Sequence, residues 1–457
     1  MSLPARSLSA GQVTRADAAS VLGVVVAALL FIPSRYALTQ IAGFVTPAFM
    51  VGLFAALWWG WGRILPSLGA AQGRQPVRMA VYFLLWAAVA SCCGLLVRDH
   101  TDAETRALLT GLFVLLSAAG VALLAADGLR SKARLDWLLR WAVIGTALVG
   151  VIVVMQFFLG IDVAVWLRPP GFSIIPGGLD FIQQRSGTSI ARVAGTAAHP
   201  IEMGVVLAMM LPLAIHYSRF PGRHGPLPYQ AATVLITFAS FLTVSRSTIV
   251  AIVVAGLILL PTWHRGLRRR ALVAGTVVVA AVLVAAPGLV GTLVGLFTNA
   301  GSDSSFLHRI NDYGAAAHFI AGSPFVGRGI GTWIPTGYGS YGSLATPNFF
   351  IDNSYLLTFL EMGLVGVLSL VVLFAMGIGV ARGARRRSAD PASRDLGQSL
   401  AASIAVAMVT TLTYDSLTFP MATGITFLLI GCAGALWRME GGATVRHLAP
   451  AALPVPG

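Results

Sequence analysis

Charged residues and cysteines are scarce in this sequence, and each scarcity excludes a class of protein. Asp, Glu, Lys and Arg make up only 11% of the 457 residues, whereas hydrophobic residues make up 56%. A soluble chain of this length would form roughly two or three domains and would need far more charge on its surface. The three cysteines are the adjacent Cys92 and Cys93 together with Cys432. Their spacing provides neither a disulfide framework nor a set of metal ligands.

Long apolar runs recur from one end of the chain to the other, and the mean hydropathy is +0.81. A run of about 20 residues crosses a hydrocarbon core of roughly 30 Å as a helix. The sequence therefore predicts an all-α, polytopic membrane protein of about twelve transmembrane helices. We place spans one to nine within residues 1–297, an extracytoplasmic loop with an amphipathic helix at 298–353, spans ten to twelve within 354–437, and a cytoplasmic tail at 438–457.

The basic residues predict an orientation. The chain has 31 Lys and Arg residues against 17 Asp and Glu residues. Roughly two thirds of the 31 fall in alternate connections, which are expected to face the cytoplasm. Both termini are then cytoplasmic, and the loop at 298–353 is extracytoplasmic, between spans nine and ten. The excess positive charge is expected to face anionic lipid rather than nucleic acid.

Three of the predicted spans begin at the extracytoplasmic side with polar residues. The segments are Arg192 to Pro200 before span six, Ser245-Arg246-Ser247 before span eight, and Asp352-Asn353-Ser354 before span ten. Helix N-termini carry partial positive charge and N–H groups without partners, so they bind phosphate readily. Three such ends at one membrane depth predict a pocket for an anion.

Each of these residues also has a simpler interpretation. Arg246 has almost no polar sequence around it, and a charge at membrane depth either serves function or extends its head to the lipid headgroups. His199 precedes Pro200 and is a better candidate for a helix cap or packing residue than for a catalyst. Asp352 is a common type of helix cap.

Carboxylates and glycines deeper in the chain are further candidates. Glu361 lies on span ten, where a carboxylate is expected to be paired with an arginine or protonated, and Asp415 has a similar position near the end of span eleven. The segment Gly327-Arg328-Gly329-Ile330-Gly331 resembles a phosphate-binding loop, but no strand precedes it. We interpret it as a flexible hinge.

The loop at 298–353 carries residues suited to a sugar substrate. His308, Arg309 and Asp312 share one face of the predicted amphipathic helix, where Arg309 and Asp312 are also spaced to pair with each other. Aromatic residues follow, and they are suited either to stacking on sugar faces or to resting at the bilayer interface: Trp333, Tyr338, Tyr341, Phe349 and Phe350.

Four of these segments, in this order, resemble the O-antigen ligase and O-antigen polymerase family of bacterial envelope glycosyltransferases. They are the Arg-x-x-Gly-Thr…Pro segment at 192–200, the Ser-Arg-Ser start of a span at 245–247, Arg309 to Gly331, and Asn353-Ser354-Tyr355-Leu356 through Glu361-Met362-Gly363. The resemblance implies a GT-C-like fold in the bacterial cytoplasmic (inner) membrane. It also implies an undecaprenyl-pyrophosphate-linked saccharide as donor, a glycan or glycolipid as acceptor, and inverting transfer without a metal ion or other cofactor.

The resemblance assigns pyrophosphate binding to arginines, which here are Arg192, Arg246 and Arg309. Asp352 and His308 are the predicted catalytic residues, and His199, Asn353 and Glu361 complete the predicted substrate-binding set. Ligases have His before the Asn of the fourth segment, whereas this sequence has Asp352, so we favour a polymerase-like member over a ligase. A polysaccharide transporter or flippase and a structural membrane protein are the alternatives from other classes.

Overall fold

The computed structural model describes residues 17–41, 44–65, 74–175, 182–184, 191–286, 288, 291–292, 313, 316–317, 319–333 and 351–448. Within these residues the chain forms twelve α-helices of substantial length. They are α1 (Ala18–Phe31), α2 (Pro47–Ile64), α3 (Pro76–Leu96), α4 (Asp102–Gly128), α5 (Lys132–Leu159), α6 (Pro200–Arg219), α7 (Leu227–Leu242), α8 (Arg246–Leu259), α9 (Arg265–Ala285), α10 (Ser354–Arg387), α11 (Pro391–Thr410) and α12 (Pro420–Leu448).

Capping residues and prolines fix where several helices begin. Thr46 accepts a hydrogen bond from the N–H of Phe49 at 3.2 Å, just before Pro47 opens α2. Pro200 is the first residue of α6, as the sequence predicts. Caps satisfy N–H groups that the first helical turn leaves without partners, and proline at this position has no N–H to lose.

Six described helices are long and apolar enough to cross a membrane by length and composition: α3, α4, α5, α6, α10 and the part of α12 at Pro420–Gly441. Helices α1 and α7 and the stretch Arg246–Thr262 are apolar but shorter. The prediction of an all-α polytopic membrane protein is therefore confirmed. The number of spans, the orientation and the GT-C-like fold stay predictions.

Several helix ends differ from those of the predicted spans, and two of these bear on the predicted site and tail. Helix α11 ends at Thr410 rather than near residue 417, and the hydroxyls of Thr410 and Thr411 donate back to the carbonyls of Val406 and Ala407 at 2.8 Å. Asp415 consequently lies in a connection, 411–419, and not in a span. Helix α12 continues past residue 438 to Leu448, so the predicted tail begins as helix.

Helices α6 and α12 form the centre of the bundle, with 83% of the apolar part of each buried inside the protein. Small residues permit this close packing. A Cβ at Gly431 of α12 would lie 2.4 Å from the carbonyl oxygen of Ala122 in α4. Such approach of helix backbones is the usual packing of membrane helices.

Ion pairs join the helices at the end of the bundle opposite the site described below. Arg78 pairs with Asp127 at 2.9 Å, and both side chains are buried. Asp395 pairs with Arg219 at 2.5 Å and also forms a hydrogen bond with Nδ1 of His216 at 2.8 Å. The polar side chains there hold α3 to α4 and α6 to α11.

Four short strands, which the sequence analysis did not predict, connect the helices before α6. Strand β1 (Tyr36–Ala37) pairs antiparallel with β2 (Ser173–Ile174), and β3 (Ile182–Gln184) pairs antiparallel with β4 (Ala191–Val193). They tie the segment after α1 and the segment before α6 to one end of the bundle.

Candidate active site at the helix N-termini

Helices α6, α10 and α12 begin side by side at one end of the bundle, here called the site end. Glu202, in the first turn of α6, accepts hydrogen bonds from the N–H groups of Met421 and Ala422 at 2.9 and 3.1 Å, at the start of α12. The N–H of Ser354, the first residue of α10, donates to the carbonyl of Thr411 at 3.1 Å. Sequence reasoning missed Glu202, although an acidic residue in the first turn of an apolar helix signals such a contact with a helix terminus.

His199 caps α6 through its ring. Its Nδ1 accepts a hydrogen bond from the backbone N–H of Ile201 at 3.1 Å. Because a backbone N–H can only donate, Nδ1 carries the lone pair, and a neutral ring holds its proton on Nε2. Burial, followed by the positive charges of Arg192 and Arg35, lowers the pKa of His199 to about 3. The ring is therefore neutral at physiological pH and presents Nε2–H as a donor, which suits an anionic substrate better than proton abstraction.

Two guanidinium groups act on His199. Arg192 is the central residue of β4. Arg35, which the sequence analysis did not single out, follows α1 and is only 4% exposed. Its Nε and Nη2 donate to the carbonyl of Ala198 at 3.0 and 2.7 Å. An arginine in a short break between two apolar runs is the signal that marks Arg35 in the sequence.

Arg246 is the first residue of α8 and is half-buried. The chain reaches it through Val244, whose φ of 49° is the one positive value at a non-glycine residue in the part of the chain that the structure describes. A β-branched residue in this conformation costs about 1–3 kcal/mol, and such strain clusters at functional sites.

The strained turn packs against α6. A Cβ at Gly204 would lie 1.9 Å from Oγ1 of Thr248 and 2.5 Å from Oγ1 of Thr243, and these two hydroxyls are 3.2 Å apart. Only glycine leaves room for this contact. Arg246 is thereby held at the site end, beside the first turns of α6.

Asp352 and Asn353 divide the roles at the start of α10. Oδ1 of Asn353 accepts hydrogen bonds from the N–H groups of Tyr355 and Leu356 at 3.0 and 3.3 Å. Asn353 is therefore the helix cap, and its predicted part in substrate binding stays a prediction. The interpretation of Asp352 as the cap is wrong, and the side chain of Asp352 is half-buried.

A second carboxylate lies close to Asp352. Asp415 accepts hydrogen bonds from the hydroxyls of Thr418 at 2.6 Å and Ser354 at 3.2 Å. Burial raises the pKa of Asp415 to about 6, and the negative charge of Asp352 acts in the same direction. The connection 411–419 thus brings a partner carboxylate to the start of α10.

The same connection joins the basic and acidic parts of the site. The ring of Phe419 lies 6.0 Å from that of His199 and 5.7 Å from that of Tyr414. Tyr414 in turn interacts electrostatically with both Glu202 and Asp415. One short connection therefore spans from the cap of α6 to the carboxylates before α10.

The glycine-rich segment is locked into a break in α10. Gly363 interrupts the helix with a φ of 64° and a ψ of −165°. A broken helix leaves backbone groups that must find partners elsewhere in a membrane. The segment 324–329 supplies them in four hydrogen bonds: Arg328 N to Leu360 O (3.0 Å), Gly329 N to Glu361 O (2.8 Å), Leu364 N to Pro324 O (2.9 Å) and Val365 N to Phe325 O (3.2 Å).

The interpretation of this segment as a flexible hinge is wrong. A Cβ at Gly327 would lie 2.3 Å from the carbonyl carbon of Glu361, and a Cβ at Gly94 of α3 would lie 1.8 Å from the carbonyl oxygen of Gly327. At Gly331 it would lie 2.6 Å from the carbonyl oxygen of Ala107 in α4. The glycines let the backbone lie against three helices, so the segment is a fixed part of the bundle.

The contact between segment 324–329 and the break in α10 is here called the joint, and Glu361 belongs to it. Its Oε1 accepts a hydrogen bond from the N–H of Trp333 at 3.2 Å, and the N–H of Gly331 also donates to the carboxylate. The ring of Trp333 packs edge-on against Phe319 at 5.2 Å. Backbone N–H groups are therefore partners of Glu361. Its pairing with an arginine or protonation, and its role in substrate binding, stay predictions.

Replacing Gly363 with alanine is expected to destabilise the protein by roughly 2–4 kcal/mol, because overpacking adds to the cost of a left-handed alanine. The new Cβ would lie 2.3 Å from both the carbonyl carbon and oxygen of Phe325. Gly379→Ala in the same helix is the control, since its Cβ would meet nothing within 4 Å. Unfolding of the purified protein in detergent measures both, and equal stability of the two variants would contradict the locked joint.

Asp415→Asn is expected to gain stability relative to the wild type as the pH rises. The folded state raises the pKa of Asp415 from 3.8 to about 6, so its favourable contribution is complete below pH 3.8 and is lost as the pH rises through 6. Asp390→Asn should change in the opposite direction. Burial acts to raise the pKa of Asp390, but hydrogen bonds from Ser393 and Ala392 lower it below 3.8. The favourable contribution of Asp390 to stability is therefore lost as the pH falls. Thermal denaturation in detergent from well below pH 3.8 up to pH 8 compares the two, and parallel curves would refute the assignment.

Several predicted residues lie outside the described residues: His308, Arg309, Asp312, Tyr338, Tyr341, Phe349 and Phe350. Their roles and the amphipathic helix stay predictions. Tyr313, from the same stretch, is described, and its hydroxyl accepts a hydrogen bond from Nδ2 of Asn353 at 3.3 Å. Among the described residues, no group of three or more His, Cys, Asp or Glu side chains is arranged to hold a metal ion.

The helices and this site define a polytopic membrane protein with basic and acidic groups gathered at one end of its bundle. Residues 231–371 match the family model described as O-Antigen ligase. The match contains Arg246, Arg309, Asp352 and Glu361, and it begins after Arg192 and His199. A comparison with curated proteins finds no match.

The resemblance stated from the sequence is confirmed: the family match supports assignment of the chain to the O-antigen ligase and polymerase family. This family implies lipid-linked glycan substrates in a membrane and glycosyl transfer of the ligase or polymerase type.

Proposed function

We propose that this protein is a metal-independent, inverting glycosyltransferase of polymerase type. It moves a glycan from an undecaprenyl-pyrophosphate-linked donor to an acceptor sugar during assembly of a cell-surface polysaccharide. The site faces the extracytoplasmic side of the bacterial cytoplasmic membrane, and the polyprenyl chain of the donor lies in the outer leaflet.

Positive groups at the site end bind the pyrophosphate. The pyrophosphate contacts Arg192, Arg246 and Nε2–H of His199, while the N-terminal ends of α6 and α8 add partial positive charge. Charge-assisted hydrogen bonds from these groups grow stronger as negative charge develops on the leaving group.

Asp352 is the general base. The acceptor hydroxyl oxygen attacks the anomeric carbon from the face opposite the pyrophosphate, and the bond between that carbon and the phosphate oxygen breaks. The hydroxyl proton passes to Asp352, and the polyprenyl pyrophosphate leaves with the electron pair. Asp415 lies beside Asp352 and is held by the hydroxyls of Thr418 and Ser354.

The observation that carries the proposal is the gathering of Arg192, His199 and Asp352 around the connection 411–419, in a chain whose residues 231–371 match the O-Antigen ligase model. Cationic groups for a leaving pyrophosphate and a carboxylate for an attacking hydroxyl are the two requirements of the reaction.

Purified protein in detergent, given a polyprenyl-pyrophosphate oligosaccharide, tests the proposal. Release of polyprenyl pyrophosphate together with longer glycans is the expected result. Transfer only after addition of a separate glycolipid acceptor would identify a ligase instead.

A transporter would translocate the substrate without product formation, so transport into vesicles with no release under any acceptor would overturn the proposal. The family match does not favour this alternative. His199, Arg246 and Asp352 lie at or just before the starts of α6, α8 and α10, which favours chemistry at the membrane surface over passage through its middle.

A further inference from the structure

A cavity of about 320 Å³ lies between α1, α2, α4 and α12, beside the candidate active site. Its walls are largely apolar and include Leu29 of α1, Ala48 of α2, and Val114 and Ala118 of α4. A sugar or a free phosphate would find few hydrogen-bond partners along these walls. The body of the cavity therefore suits a hydrocarbon chain.

One end of the cavity is polar. Ser34, Arg35, Thr46 and Thr418 line it there. Arg35 is held by its two hydrogen bonds to the carbonyl of Ala198, so its guanidinium stays at this end. A fixed positive charge beside an apolar chamber is complementary to a molecule with an anionic head and an apolar tail.

The polar end of the cavity is continuous with the candidate active site. Thr418 lines the cavity and donates its hydroxyl proton to Asp415 at 2.6 Å. Phe419 also lines the cavity and packs against the ring of His199. Arg35 acts electrostatically on His199 together with Arg192. A phosphate at Arg35 would therefore lie next to the pyrophosphate-binding groups.

The volume matches part of one hydrocarbon chain. At roughly 30 Å³ for a group the size of a water molecule, the cavity holds about ten such groups, which is close to the carbon content of two isoprene units. A phospholipid could place only one of its two acyl chains in this space and would leave the other outside the cavity.

We propose that this cavity binds the phosphate-proximal isoprene units of a polyprenyl phosphate, with Arg35 at the phosphate. The inference rests on the proposed function, because it names the site of the lipid part of the substrate. Arg35 and the cavity between α1, α2, α4 and α12 lie outside the four sequence motifs, so they extend the proposed substrate-binding site.

Photolabelling tests the site without any need for catalysis. The probe is a polyprenyl phosphate with a diazirine in its second isoprene unit, added to the full-length protein in detergent and mapped by mass spectrometry. Label is expected on the peptides of α1, α4 and α12 that line the cavity. Ala118→Leu should fill the chamber and reduce labelling about tenfold or more, while Ala274→Leu, on the exposed surface of α9, should leave it unchanged. Val114→Phe, at a less buried wall position, is the second filling variant should Ala118→Leu fail to fold.

A matched pair of probes tests Arg35. Arg35→Gln is expected to weaken labelling by the phosphate probe about tenfold and to leave labelling by the corresponding uncharged polyprenol unchanged. Equal loss with both probes would overturn the role of Arg35. If phosphatidylglycerol displaces the probe as effectively as polyprenyl phosphate does, the choice of occupant is overturned and the cavity is a site for ordinary membrane lipid.

The two proposals fail in different ways. Labelling of the cavity in a protein that transfers no glycan would refute the glycosyltransferase and leave the lipid site standing. Labelling elsewhere, or labelling unchanged by both filling variants, in a protein that does transfer glycan would refute the cavity alone.

Discussion

Asp352→Asn is expected to lower the rate of glycan transfer by about 10²–10⁴-fold, the usual contribution of a positioned general base. The amide keeps the size of the carboxylate but cannot accept the acceptor's proton. Since Asn353 and not Asp352 caps α10, the substitution keeps the cap of that helix. Single-turnover release of polyprenyl pyrophosphate measures the chemical step directly.

Two further variants separate a base from a structural carboxylate. Asp352→His should restore part of the rate, because imidazole also accepts a proton and the resembling ligases have His at this position. Asp390→Asn should keep the wild-type rate. Asp390 caps the start of α11, which lies at the end of α10 away from Asp352. If Asp352→Asn retains more than about a tenth of the activity, well short of the loss expected for a missing base, another group accepts the proton.

Features encoded by neighbouring residues were predictable from the sequence. Pro200 after His199 and Ser354 after Asn353 begin helices because caps and proline act within one turn. The same local signals brought Arg246 and Asp352 to attention, since each lies at a helix start. The prediction for α11 failed at its end because hydropathy does not register contacts with distant residues, such as the hydrogen bond from the N–H of Ser354 to the carbonyl of Thr411.

Features that join distant parts of the chain were not predictable in this way. Arg35 bonds to the carbonyl of Ala198, 163 residues away, and Trp333 donates to Glu361, 28 residues away. The break at Gly363 is stable only because segment 324–329 supplies the missing backbone partners. Without those partners, a glycine within an apolar run is indistinguishable from one that merely packs helices.

The interlocked joint also explains why two of the motif segments occur together. The glycines of 327–331 and the Glu361-Met362-Gly363 segment meet through backbone contacts that exclude a Cβ at Gly327 and at Gly363. We infer that this joint fixes the position of the first turns of α10, and thereby of Asp352. These glycines thus serve the close packing of the backbone in the joint.

Arg246→Ala is expected to lower glycan transfer by about 10²–10³-fold, the usual effect of removing one group that stabilises developing negative charge. The backbone supports this expectation, because the strained Val244 and the close packing of Gly204 against Thr248 hold the start of α8 in one position. Arg246→Lys keeps the charge but loses the two parallel donors of a guanidinium, so it should retain part of the rate.

Arg106→Ala removes an exposed arginine near the start of α4. It is the control for loss of a positive charge and should remain active. Release of polyprenyl pyrophosphate at equal protein concentration measures all three variants. Full activity of Arg246→Ala would remove Arg246 from the site, and the strain at Val244 would then serve only the packing of α8 on α6.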